Sequence, residues 1–131
     1  MIRSIFPVLT ILGLSSAVHS AAPVAQGSRA MAGLWEVSAR ADGHGAQRVC
    51  LSTLSTLLQW EHRALSCGQK ILGSSPRGVT VDYNCGPAGF GHSRLTVITP
   101  RTLKVETQGI SADYPFQYTL HARRVGGCAV R

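Results

Sequence analysis

Carboxylates are scarce in this chain: Asp and Glu together number six in 131 residues. Glu36, Asp42, Glu61, Asp82, Glu106 and Asp113 stand apart from one another, so no local pair supplies an acid and a base for proton transfer. Close cysteine pairs are missing too. The four cysteines are spaced Cys-x16-Cys-x17-Cys-x42-Cys, whereas tetrahedral zinc sites and thiol redox motifs draw two sulfurs from one turn of chain. No His-x-x-x-His pair suggests a metal. His44, His62, His92 and His121 fall in a turn, on a helix, in a loop and on a strand's polar face, the scattered pattern of surface histidines. There is no Gly-x-Ser-x-Gly elbow to carry an activated serine. The run Gly86-Pro87-Ala88-Gly89-Phe90-Gly91 lacks the strand–loop–helix context of a phosphate cradle and reads as a connecting loop. No catalytic residue, cofactor or metal ligand is therefore expected. An internal repeat is also absent.

A long apolar run is the next thing lacking. Met1 to Ser20 carries one basic residue, Arg3, then an apolar stretch from Ile5 to Val18 interrupted by Pro7 and Gly13, short of the roughly 20 residues a spanning helix needs. Residues 1–20 have the layout of a signal peptide, with small residues placed for cleavage after Ser20. No later stretch is long enough to span a bilayer. Residues 21–32, rich in Ala, Pro, Gly, Gln and Ser, read as a flexible lead. One domain is expected over residues 33–131, in the periplasm or secreted.

The charge is basic: 13 Lys and Arg against six acids, a net +7, or +6 once Arg3 is removed with the leader. Anionic envelope polymers are the partners such a balance attracts. The cations are scattered, with Arg123-Arg124 the one adjacent pair. Nucleic acid is not expected as a partner, since no basic–aromatic cluster occurs.

Period-two alternation dominates the domain. Trp35, Val37 and Ala39 oppose Glu36, Ser38 and Arg40. After a turn at Asp42-Gly43-His44-Gly45, Gln47 to Leu51 returns as a second strand. The period then changes. Leu51, Leu54, Leu57, Leu58 and Leu65 recur at helical spacing, predicting one helix over about Thr53–Ala64 with Ser52 or Thr53 as its cap and Trp60 covering a core edge. Alternation resumes at Val79–Cys85, Arg94–Val97, Leu103–Glu106 and Phe116–Arg123, separated by short turn segments at Ser74–Gly78, Gly86–Gly89, Thr99–Arg101 and Asp113–Pro115 that suit antiparallel neighbours. The fold class is mainly β: an antiparallel meander of six to eight strands with one α-helix after the second strand, disulfide-stapled. A curved open sheet and a small closed barrel alternate identically, and both fit.

Four cysteines in an exported domain of this size read as two disulfides. A hairpin centred on Pro76 places Cys67 opposite Cys85, leaving Cys50 with Cys128. The rival is Cys50 with Cys67, clipping the helix at its two ends, plus Cys85 with Cys128; a register slip of one residue weakens the first choice.

Gly33-Leu34-Trp35-Glu36-Val37, Val49-Cys50-Leu51-Ser52 ahead of a helix, a cysteine closing a strand at Cys85, and Arg124-Val125-Gly126-Gly127-Cys128 together resemble the DUF3617 family of exported bacterial proteins. The likeness runs from about Gly33 to Cys128. Ser52 and Thr53 stand where that family commonly has Thr-Pro. The resemblance implies a secreted or periplasmic β-rich domain of unknown function and carries no catalytic residues. Two functional classes follow from the residues themselves. The first is a non-catalytic binding module for an apolar or amphipathic small molecule, with Trp35, Tyr83, Phe116 and Tyr118 lining a cavity or else filling the core. The second is an envelope structural or interaction protein that lays its basic surface on an anionic polymer or a partner protein. An enzyme ranks third.

Overall fold

The computed structural model describes residues 31–129; the signal-like segment 1–20 and nearly all of the lead lie outside the described residues. Seven strands form one antiparallel sheet: β1 (Gly33–Ser38), β2 (Gln47–Leu51), β3 (Gly68–Ser75), β4 (Gly78–Asn84), β5 (Gly89–Thr99), β6 (Thr102–Ser111) and β7 (Tyr114–Gly126), in the order β2-β1-β7-β6-β5-β4-β3. The sheet does not close. Its edges are β2 and β3, which decides between the two architectures that alternation left open.

Those edges are consecutive in sequence, so the segment joining them has to cross the whole sheet. It crosses on the face where the odd-numbered residues of β4 to β6 point, and it fills that face. A short helix, α1 (Ser55–Leu58), packs over β5 and β6. A 3-10 turn follows at Trp60–His62. Leu54, Leu57, Leu58 and Trp60 from this connector join Trp35, Val37, Leu51, Val79, Val81, Leu95, Leu103, Val105, Leu120 and Ala122 from the strands in one core. Each Val or Leu side chain so removed from water contributes roughly 1.5–3 kcal/mol. The connector is thus the second layer that a one-face-apolar sheet requires.

The helix is much shorter than the stretch Thr53–Ala64 that leucine spacing predicts. Leu57, Leu58, Gln59, Trp60 and His62 are all buried, and a continuous helix cannot turn five such closely spaced residues to one side. The chain breaks at Gln59 instead (φ −128°, ψ 40°). The side-chain amide of Gln59 then donates to the carbonyls of His62 (3.2 Å) and Leu65 (2.7 Å), holding the broken end. The cap differs as well. Leu54 occupies the N-cap without a side-chain bond, while Thr53 Oγ1 accepts from the Ser55 amide at 3.3 Å. Trp60 is 8% exposed, in the covering role expected of it, with the Arg63 guanidinium 4.3 Å above its ring.

Two further expectations are corrected. The glycine-rich run 86–91 is a loop only as far as Ala88, because β5 already begins at Gly89; His92 is therefore a strand residue. His62 is buried rather than on the surface.

The disulfides are Cys50–Cys128 and Cys67–Cys85, with Cα separations of 5.6 and 4.5 Å. The register that brings Cys67 to Cys85 comes about in two steps. Near the turn Ser75 pairs with Gly78 and Gly73 with Thr80; beyond a bulge at Leu72, Ile71 pairs with Val81 and Gly68 with Asn84. The bulge absorbs one residue of β3. Without it Cys67 would face Gly86.

Candidate functional site

Trp35, Tyr83, Phe116 and Tyr118 all stand on the inner face, beneath or beside the connector. Trp35 is fully buried and Tyr83 is 2% exposed, whereas Phe116 and Tyr118 are half-buried. Trp35 donates its indole N–H to the Met31 carbonyl at 3.0 Å. Tyr83, Phe116 and Tyr118 are drawn together by a residue that sequence patterning placed on the surface, His62. Its ring meets Tyr83 and Phe116 edge-on at centroid distances of 5.6 and 6.1 Å, and Phe116 meets Tyr118 at 5.8 Å.

Both nitrogens of His62 are engaged. Nε2 lies 3.0 Å from the Ala88 carbonyl and Nδ1 lies 3.1 Å from the Tyr83 hydroxyl. A carbonyl can only accept, so Nε2 carries the hydrogen and, in the neutral ring, Nδ1 accepts from Tyr83. Burial pushes the Tyr83 phenol up to about 12, with the nearby Glu61 carboxylate acting in the same direction. The Tyr118 phenol is also raised, first by burial and then because its hydroxyl donates to Glu61 Oε2 at 2.9 Å. No buried side-chain nitrogen or oxygen among the described residues lacks a partner. This face is packed and satisfied. A cleft of about 320 Å³ opens on it beside Trp60, Arg63 and Tyr118.

The larger clefts are on the opposite, outer face. One of about 640 Å³ is walled by Lys70, Asp82, Asn84, Phe90, His92 and Gln108. A second, of about 560 Å³, continues it through the shared residues His92 and Gln108 toward Arg94, Glu106, Gln117 and Thr119. Both volumes are in the range of small-molecule sites. The register explains why these residues meet. Lys70, Asp82, His92, Gln108 and Gln117 are successive cross-strand partners from β3 to β7 and form one row; Thr80, Arg94, Glu106 and Thr119 form the next. Asn84, Phe90, Ile110 and Pro115 make a third row at the end of the trough.

Within the trough, Asp82 Oδ1 accepts from His92 Nδ1 at 2.6 Å. That bond fixes the ring and leaves Nε2 for other partners. Asn84 Oδ1 accepts from the Gly86 amide at 2.7 Å. Phe90 is 53% exposed, an unusual state for a phenyl ring on a sheet. On the inner side of the same strands Gly91 and Gly109 pair with each other, and a Cβ on Gly91 would lie 2.5 Å from the Tyr83 ring.

The other end of the outer face is basic. Glu36 accepts from Arg123 at 3.0 Å and Arg48 at 3.2 Å, and the Arg123 hydrogen bond leads in holding its carboxyl below the usual range. Thr102 pairs with Arg123 and Lys104 with His121 in the adjoining rows.

Of the trough residues, only Tyr83 at the first cleft and Tyr118 at the second were among the aromatics singled out from the sequence. Phe90 and His92 were hidden inside what reads as a loop. Among the described residues there is no group of three metal-ligating side chains, and no helix is long and apolar enough to cross a membrane. Comparisons with protein-family models, curated proteins and solved structures gave no match.

Proposed function

We propose that this chain is an exported, periplasmic or secreted, non-catalytic binding module akin to the DUF3617 proteins, and that it holds an amphipathic ligand in the outer-face trough. The observation that carries this reading is the cleft of about 640 Å³ with a half-exposed Phe90 at its apolar end and hydrogen-bonding side chains along its length. An apolar group of the ligand packs on Phe90, Ile110 and Pro115, and its polar part lies over the row containing Asp82, His92 and Gln108. The two disulfides support an oxidising compartment. The inner face is the weaker candidate, because the connector already occupies it.

Anilinonaphthalene sulfonate, an amphipathic dye, tests this site. Its fluorescence should rise on binding the intact chain, and Phe90→Ala should weaken that binding about tenfold, close to 1.4 kcal/mol. Equal binding by both proteins would place the site elsewhere. A second reading rests on the basic end. Arg48, Arg123 and Lys104 there favour an anionic envelope polymer, and retention on a heparin matrix that collapses with salt and with Arg48→Glu/Arg123→Glu would support it.

A further inference from the structure

The charge of the trough differs from that of the chain around it, and this difference identifies a ligand class. Lys70 and Arg94 contribute two cations, Asp82 and Glu106 two anions, in a chain whose overall balance is +7. A site for a phosphate or an acidic polymer would concentrate cations, as the other end of this face does. What the trough concentrates instead is planar groups that both donate and accept: the amides of Gln108 and Gln117, the Asp82–His92 pair, and Arg94 directly across from Glu106. Hydroxyls, which donate and accept at one atom, match such a surface.

Phe90 supplies the complementary feature. An exposed aromatic face packs on the C–H face of a pyranose ring while the ring's equatorial hydroxyls reach the polar side chains beside it. From β3 to β7 the row crosses four inter-strand gaps, about 19 Å, which suits a short oligosaccharide better than a single sugar. Because the platform is a hydrogen-bonded sheet, little ordering is lost on binding. We infer that the outer-face trough binds a neutral saccharide chain, stacked on Phe90 and hydrogen-bonded along the row from Lys70 to Gln117. This rests on the binding reading above and names its ligand.

Titration calorimetry of the full chain with maltohexaose, cellohexaose and hexa-N-acetylchitohexaose tests it, with the dye as a separate probe of the trough. The expected result is binding of at least one of the three with a Kd on the order of 1 mM or tighter. Phe90→Ala and Asp82→Asn should each weaken it about tenfold, while Arg48→Gln at the basic end and added salt leave it unchanged. No heat with any of the sugars, alongside Phe90-dependent dye binding, overturns the saccharide and leaves the binding module standing. Failure of sugars and dye together overturns both. Sugar binding that Phe90→Ala and Asp82→Asn do not alter, in variants with wild-type melting curves, places the saccharide outside the trough and overturns the assignment.

Discussion

At the scale of single residues, the packed face is organised by Tyr83. Its ring covers Gly91, its hydroxyl donates to His62, and burial raises its pKa to about 12. An unfolded tyrosine ionises near 10, so the unfolded chain loses this proton first as pH rises. This contribution to stability is full below about pH 10 and declines between there and pH 12, with Tyr118 acting in the same sense. Urea unfolding at neutral and alkaline pH should show this limb, and Tyr83→Phe should make it shallower, leaving the part due to Tyr118, while costing about 1 kcal/mol at neutral pH through the lost hydrogen bond. Gly91→Ala should destabilise by roughly 1–3 kcal/mol, because the added methyl meets the Tyr83 ring. These residues also show why half of β5 is silent in the sequence. Its inner positions Gly89, Gly91 and Ser93 carry no apolar side chain: Tyr83 fills the space over one glycine, and Ser93 bonds Thr107 at 2.8 Å. Alternation that relies on a neighbour's side chain leaves no trace in its own strand.

At the scale of elements, turn geometry accounts for the bulges. Pro76-Arg77 and Pro100-Arg101 are two-residue turns with no positive φ. Turns of that kind do not match the right-handed twist of a hairpin. Each of these hairpins carries one bulge, at Leu72 and at Ile98, and both bulged residues are exposed. The β6–β7 turn is the contrast. Ala112 and Asp113 both have positive φ (47° and 69°), as a primed turn requires, and the ladder from Ser111–Tyr114 to Thr102–Arg123 runs without interruption. Deleting Leu72 should therefore keep Cys67 opposite Cys85, and peptide mapping under non-reducing conditions should recover the native disulfide; a Cys85 found with another cysteine would refute the role given to the bulge. Most strand positions and the short turns were legible because period-two patterning and local geometry encode them; the pairing of Cys67 with Cys85 was reached from a hairpin centred on Pro76, whereas the turn is Pro76-Arg77 and the bulge at Leu72 makes up the difference. The crossing of the connector was not legible, since helical spacing of leucines does not say that β2 and β3 lie at opposite edges. Nor was the trough, whose residues come together only through the register of five strands.

For the whole molecule, the two disulfides tie down different amounts of chain. Cys67–Cys85 closes a separation of 18 residues and Cys50–Cys128 one of 78, for which chain entropy gives about 3 and about 4.5 kcal/mol respectively. Replacing Cys50 and Cys128 by alanine should lower the thermal midpoint more than replacing Cys67 and Cys85, measured on the same scan. The arrangement they hold has a division of labour between its faces: the inner face is spent on the connector and core, and the outer face presents a charge-balanced trough at one end and cations at the other. Amide chemical-shift mapping with anilinonaphthalene sulfonate addresses that division most directly. Perturbations confined to Lys70, Asp82, Phe90, His92 and Gln108 are the expected result; shifts centred instead on Trp35, Leu57, Leu58 and Trp60 would show a ligand entering beneath the connector and would contradict the account.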